Sequence, residues 1–189
     1  MNHSTKKLVG LGLLTAIIVI LEVLTVLTRF GVFKITLALI PIVIGAALYG
    51  WKAGAWLGLV FSLMVLFTDA GAFLAISIPG TAITVLAKGT LAGLVAGLIY
   101  QKFQEKNRHL AVALAAIITP VVNTGIFLVG CRLFFFDTLA QWAETYGFSS
   151  PVAYMFAGLV GLNFFIEIAV NVVLIPVILR LINIGRRTA

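Results

Sequence analysis

The sequence predicts an all-α membrane protein: one domain over residues 1–189, six transmembrane helices, both termini cytoplasmic, and a long outer loop between the fifth and sixth helices. Three observations carry this. Hydrophobic residues fill 62% of the positions and charged residues 10%, with a mean hydropathy of +1.18, more apolar surface than a water-soluble core needs. Six apolar segments, at residues 8–28, 35–49, 53–68, 81–100, 110–131 and 156–182, are of membrane-crossing type, given that roughly 20 helical residues cross about 30 Å of hydrocarbon. The basic residues are unevenly shared between the two sides of such a threading.

The first segment follows Lys6-Lys7 and resembles a signal peptide only at its start. Its apolar run is about twice a typical signal core and no small-x-small cleavage site follows, so a retained helix is expected. The second and third are short and meet at Gly50-Trp51-Lys52. They form a hairpin, since Gly50 ends a helix at little steric cost. Gly89, Gly93 and Gly97 in the fourth, Gly54 and Gly58 in the third, and Gly12 with Ala16 in the first make small-xxx-small surfaces that let helices approach closely. Pro41, Pro120 and Pro176 are expected to interrupt their helices, each removing a backbone donor.

Orientation follows from the cations. With the N-terminus inside, Lys6, Lys7, Lys52, Lys102, Lys106, Arg108, Arg180, Arg186 and Arg187 are cytoplasmic. Arg29, Lys34 and Arg132 are outside, and Lys88 lies within a span. Nine against three is a positive-inside bias. The outer connections are then 29–34, 69–80 and 132–155, the last carrying Phe134, Phe135, Phe136, Trp142, Tyr146, Phe148 and Tyr154. An aromatic belt at the headgroups and a lid both fit that composition.

Several chemistries are excluded. A single cysteine, Cys131, allows no internal disulfide or cysteine metal cluster. His3 and His109, the two histidines, both fall at the cytoplasmic edge, which removes a histidine base from any outer site. Serine-hydrolase elbow, zinc-protease, acidic metal and P-loop motifs are missing. Neither an enzyme nor a resident cofactor or metal is expected. The net charge of +7 reflects topology and not nucleic-acid binding.

What remains is a polar constellation: Glu22, Lys88, Asn123, Asn163 and Glu167 lie inside the apolar segments, where a charge costs at least a few kcal/mol. Counting along each helix puts Glu22, Lys88, Asn123 and Asn163 at a common depth in the outer half, roughly 9–12 Å below the helix ends. Asn163, Glu167 and Asn171 recur at i, i+4, i+8 on one face. Interhelical stitching is one reading. A ligand site is the other, favoured by the mixture of cation, carboxylates and amides under long outer loops.

The local text resembles the substrate-binding S components of energy-coupling factor (ECF) vitamin importers. The resemblance runs through Ile35-Thr36-Leu37-Ala38-Leu39-Ile40-Pro41, Tyr49-Gly50-Trp51-Lys52-Ala53-Gly54, Lys88-Gly89-Thr90-Leu91-Ala92-Gly93, Pro120-Val121-Val122-Asn123-Thr124-Gly125 and Asn163-Phe164-Phe165-Ile166-Glu167. It implies a bacterial cell-membrane protein that captures a vitamin in the outer half. The site would be lined by the fourth to sixth helices and outer loops one, three and five. Release inward would follow on docking to a transmembrane coupling subunit driven by two cytoplasmic ATPase subunits. The family's first helix docks through small residues, which correspond here to Gly12 and Ala16. Lys88, with Arg29, Lys34 and Arg132 at the outer mouth, favours an anionic ligand. The text is most similar to the pantothenate subgroup. Lys88 would then hold the carboxylate and Asn123 and Asn163 the amide and hydroxyls, beside Glu167, Glu22 and Arg132. Riboflavin or another vitamin is the alternative within the family. Outside it stand an ion-coupled secondary transporter using Glu22 and Glu167, weakened by the lack of an inverted repeat, and a structural membrane scaffold.

Overall fold

In hydrocarbon no water satisfies the backbone, so hydrogen bonds close within helices. The computed structural model describes residues 3–28 and 36–188, and every regular element among them is helical. Arg29 and Lys34 lie outside the described residues. The elements are α1 (His3–Leu27), α2 (Leu39–Tyr49), α3 (Trp51–Thr68), α4 (Gly71–Leu74), α5 (Ile78–Phe103), α6 (Arg108–Phe134), α7 (Phe136–Thr145) and α8 (Pro151–Ala153). A π-helical turn (Tyr154–Val160), α9 (Gly161–Val173) and α10 (Ile175–Thr188) complete the chain. Five helices are long and apolar enough to cross a membrane: Thr5–Leu27, Trp51–Thr68, Ile78–Phe103, Arg108–Phe134 and Pro151–Val173. The shorter apolar α2 stands beside them.

Local chemistry sets the starts and stops. The Ser77 hydroxyl accepts from the Gly80 amide at 3.2 Å and opens α5, with Pro79 in its first turn, where a missing N–H costs nothing. The Asn107 side chain accepts from the Leu110 amide at 3.1 Å and opens α6. Gly50 alone turns α2 into α3 at φ +91°, a left-handed conformation that side chains avoid. Trp51 and Lys52, expected in the turn, are already in the first turn of α3.

Small residues then fix the scaffold. A Cβ added at Gly54 would overlap the Gly93 carbonyl, and one at Gly58 the Gly89 carbonyl. The glycine rows of α3 and α5 therefore face each other, backbone against backbone. Around this seam pack Ile18, Leu39, Ile42, Leu57 and Phe61. Toward the basic end lies a second core of Val43, Tyr100, Val112, Ile178 and Ile182. α1 packs mainly on α2 and α3, where the Trp56 indole donates to the Thr15 hydroxyl at 3.3 Å.

Three expectations change. The segment 156–182 is not one helix: it opens in the π-helical turn, passes Gly161 at φ +47°, and stops at Leu174. Pro176 is the second residue of α10, and a proline there lacks a donor and clashes with the carbonyl four residues back. Pro41 interrupts nothing, because α2 begins at Leu39 and Pro41 sits in its first turn. Pro120 is accommodated within α6. The connection 132–155 is largely helical: α6 runs on to Phe134 and α7 follows almost at once. α7 is amphipathic by composition, with Leu139 and Ala143 buried and Asp137 and Glu144 exposed, which suits an element lying along a surface.

Candidate functional site

Beyond the glycine seam, toward the end of α3 and the start of α5, larger side chains replace the glycines and α6 and α9 join the two helices around one space. They enclose a cavity of about 220 Å³. α5 contributes Thr81, Thr84, Val85 and Lys88, positions that fall on one helical face at i, i+3, i+4 and i+7. α6 contributes Asn123, Thr124 and Phe127, again one face and its shoulder. α9 presents Asn163, Phe164 and Glu167, and Leu159 and Val160 come from the π-helical turn, a departure from α geometry that is frequent at functional sites. Phe61 and Val65 of α3, Asp69, Phe73 of α4, Phe135 and Thr36 close the remaining sides.

The Lys88 ammonium is held among aromatic rings, 5.4 Å from the centroid of Phe127 and 6.0 Å from that of Phe61. Ring faces attract a cation. The charged groups of the lining are one cation, Lys88, and two carboxylates, Asp69 and Glu167. Two polar atoms of the lining, the Thr84 hydroxyl and the Asn123 Oδ1, are buried with no hydrogen-bond partner. An unmet buried polar group costs about 1–3 kcal/mol, so the wall holds stored capacity for hydrogen bonds. The cavity can thus engage an anionic group, several hydrogen-bonding groups and an apolar body at once.

An aromatic cluster lies over one side. Phe73 meets the rings of Phe127 at 5.6 Å, Phe135 at 5.0 Å and Trp142 at 5.9 Å, all edge to face. Trp142 continues to Tyr154, which also touches Tyr146 and Phe148. The aromatic residues expected between the fifth and sixth spans are therefore largely joined into a packed cap with α4 and α7.

Of the residues singled out from sequence, Lys88, Asn123, Asn163 and Glu167 line this one cavity. Glu22 does not. It is fully buried on α1, and α1 packs on α2 and α3. Arg132 is exposed in the last turn of α6, its guanidinium 4.0 Å over the Phe136 ring, and it does not line the cavity. Asn171 is buried on α9 beyond the lining. Gly12 and Ala16 lie on an exposed part of α1, with nothing within 4 Å of the place a Gly12 Cβ would occupy. Lys88 is ten residues from the start of α5 and Asn123 eleven from the end of α6, about 15–17 Å from those two ends. That exceeds the sequence estimate because both helices are longer than their apolar cores.

Sequence reasoning missed Thr81, Thr84, Asp69, Phe61, Phe73 and Phe127 among the lining. Projecting the faces of Lys88 and Asn123 would have found Thr81, Thr84 and Phe127. Phe61 and Phe73 carry no such mark in an apolar text.

Residues 6–179 match the family model described as ECF transporter, substrate-specific component. The chain belongs to that family. It is a multi-pass bacterial membrane protein and a transporter subunit. It is also 26% identical over 204 residues to the pantothenic acid transporter PanT of Lactococcus lactis subsp. cremoris (strain MG1363), covering 97% of this chain and 98% of that one. No solved structure matches.

Proposed function

We propose that this S component captures pantothenate in the 220 Å³ cavity for ATP-driven uptake. The observation that carries the reading is Lys88 set among phenyl rings in a wall of amides, hydroxyls and two carboxylates. A monoanion with hydroxyl and amide groups fits it. Lys88 takes the ligand carboxylate. Asn123 and Asn163 hold its amide and hydroxyls, and Glu167 and Asp69 accept from hydroxyl donors. The same two acids oppose a phosphate dianion, which removes phosphorylated vitamins. Volume supports a small ligand: the cavity lies below the roughly 300–1,000 Å³ usual for drug-sized molecules, so an acyclic acid fits better than a three-ring flavin. The similarity to a protein named for pantothenic acid transport points the same way.

In this reading the chain is a single six-span domain, with α2 as the short sixth span and both termini cytoplasmic by the distribution of Lys and Arg. The cavity then opens outward under the aromatic cap. The protein itself catalyses nothing and needs no cofactor. It hands its load to a transmembrane coupling subunit and two cytoplasmic ATPases, docking through Gly12 and Ala16 on the open face of α1. Gly12→Leu leaves binding intact and stops uptake in cells. Uptake that survives Gly12→Leu together with Ala16→Leu moves the docking surface elsewhere.

Isothermal titration of the purified chain with pantothenate, riboflavin, thiamine, folate, biotin and pyridoxine tests the substrate. Tight binding of pantothenate alone, without ATP or partners, is the expected result. Tight binding of the cationic thiamine would assign the site to its carboxylates and overturn the role of Lys88. No binding across the panel would return the constellation to helix stitching.

A further inference from the structure

The opposite end of the bundle holds a second, differently charged pocket. Thr84 and Gln101 are seventeen residues apart on α5, or about 25 Å, and the second pocket opens around Gln101. It has a volume of about 330 Å³ and is lined by Lys7 of α1, the α2–α3 corner at Tyr49 and Gly50, Gln101 of α5 with Gln104 directly after that helix, and Arg186 of α10. Two cations line it, and no carboxylate does among the described residues. Arg186 is oriented: one guanidinium nitrogen donates to the Tyr100 hydroxyl at 3.0 Å and to Gln104 Oε1 at 2.8 Å. The phenol that anchors it is 1% exposed. A guanidinium fixed along one edge keeps its other donors for a tetrahedral oxyanion, the geometry for which arginine is suited.

The surroundings decide what carries the oxyanion. Directly beside Lys7 on α1, Leu8 is 72% exposed and Val9 58% exposed. On α10, Leu181 and Ile184 are exposed as well, on a different face from Arg186. Cations at helix ends whose lipid-facing sides are apolar match an amphiphile whose charge sits at the headgroup level and whose chains run down an apolar flank. Free phosphate would use the cations and leave that flank without purpose.

We propose that this pocket binds the phosphate group of an anionic phospholipid, between the ends of α1, α5 and α10. The site is independent of the vitamin cavity and does not depend on its substrate. Basic pockets between transmembrane helices are recurrent headgroup sites, and each cation near an anionic surface strengthens binding by roughly fivefold.

The test is native mass spectrometry of the full-length chain in detergent, titrated with phosphatidylglycerol and, separately, phosphatidylcholine. One phosphatidylglycerol is expected to bind in preference to phosphatidylcholine. Lys7→Gln, which removes no hydrogen bond seen here, should weaken it roughly fivefold, and Lys7→Gln with Arg186→Gln about thirtyfold. Lys102→Gln, on an exposed residue outside the pocket, should change nothing, and thermal unfolding in detergent reports whether each variant is folded. Equal binding of the two lipids, or an equal loss in Lys102→Gln, would reduce the effect to diffuse charge and overturn the site. Displacement of the lipid by millimolar inorganic phosphate would assign the pocket to a free anion and overturn the lipid.

Discussion

Helix α5 borders two regions built on opposite rules. Along its seam with α3, Gly89 and Gly93 meet Gly58 and Gly54 and the backbones touch. Along the cavity, the adjoining residue Lys88 and its helical neighbours Thr81 and Thr84 face Phe61, Phe127 and α9 across open volume. One residue of sequence separates the two, because consecutive helical positions point about 100° apart. The comparison teaches how a small membrane protein makes room for a ligand. Without a hydrophobic force between helices in lipid, close packing of small residues holds the scaffold. On the neighbouring face, phenyl rings and polar groups together line the cavity instead.

The largest effect should come from breaking the seam. Gly93→Leu drives a side chain into the Gly54 carbonyl and Ile42. Overpacking costs about 1–3 kcal/mol where side chains can yield, and here the obstacle is backbone, so loss of monodisperse folded protein in detergent is expected. Gly125→Ala is the matched control: nothing lies within 4 Å of its added methyl, and in mid-helix alanine gains up to about 1 kcal/mol over glycine. A Gly93→Leu protein that melts with the wild type would show that the seam is not what holds α3 and α5 in place.

Next comes the cavity. Lys88→Ala should leave the fold intact and weaken pantothenate by roughly thirtyfold or more, the scale for truncating one partner of a buried charge pair. Unchanged affinity by titration would remove Lys88 from the ligand site. Thr84→Val sharpens the contrast, because its two effects have opposite signs. Its hydroxyl is buried and unpartnered, so its removal should leave the ligand-free protein as stable or slightly more stable. A lost ligand hydrogen bond should cost about 0.5–1.5 kcal/mol of binding. Equal losses in stability and affinity would mean that the hydroxyl serves packing alone.

How far the text alone reaches follows the same division. The seam was legible, because glycines four residues apart can be read directly as a close-approach surface. Four of the cavity residues were legible, because an ionisable or amide group in an apolar helix stands out. Glu22 stands out equally, and spacing along its own helix cannot reveal that α1, packed on α2 and α3, adds no residue to the cavity lining. Phe61, Phe73 and Phe127 were hidden, since a phenylalanine among apolar residues carries no sign of what it faces. α7 reads as loop in the sequence because its ten residues, FDTLAQWAET, are too polar for a span. The break at Leu174 was foreshadowed by Pro176, but the π-helical turn before Gly161 has no comparable local mark.

The smallest effect tests where the site ends. Arg132 is a cation in the last turn of α6 and looks, by charge, like part of an anion site. In the structure its guanidinium lies exposed over Phe136, outside the cavity lining. A solvated charge at the rim acts through water, is screened within about 8–10 Å at ordinary salt, and alters arrival more than residence. Arg132→Ala should therefore slow pantothenate association less than threefold at low salt, with a dissociation rate equal to wild type and no difference once salt is raised. A loss of tenfold or more that persists in high salt would mean that Arg132 reaches the bound ligand. The aromatic cap would then have to rearrange on binding, and the boundary between cavity and surface drawn here would move outward to include α7.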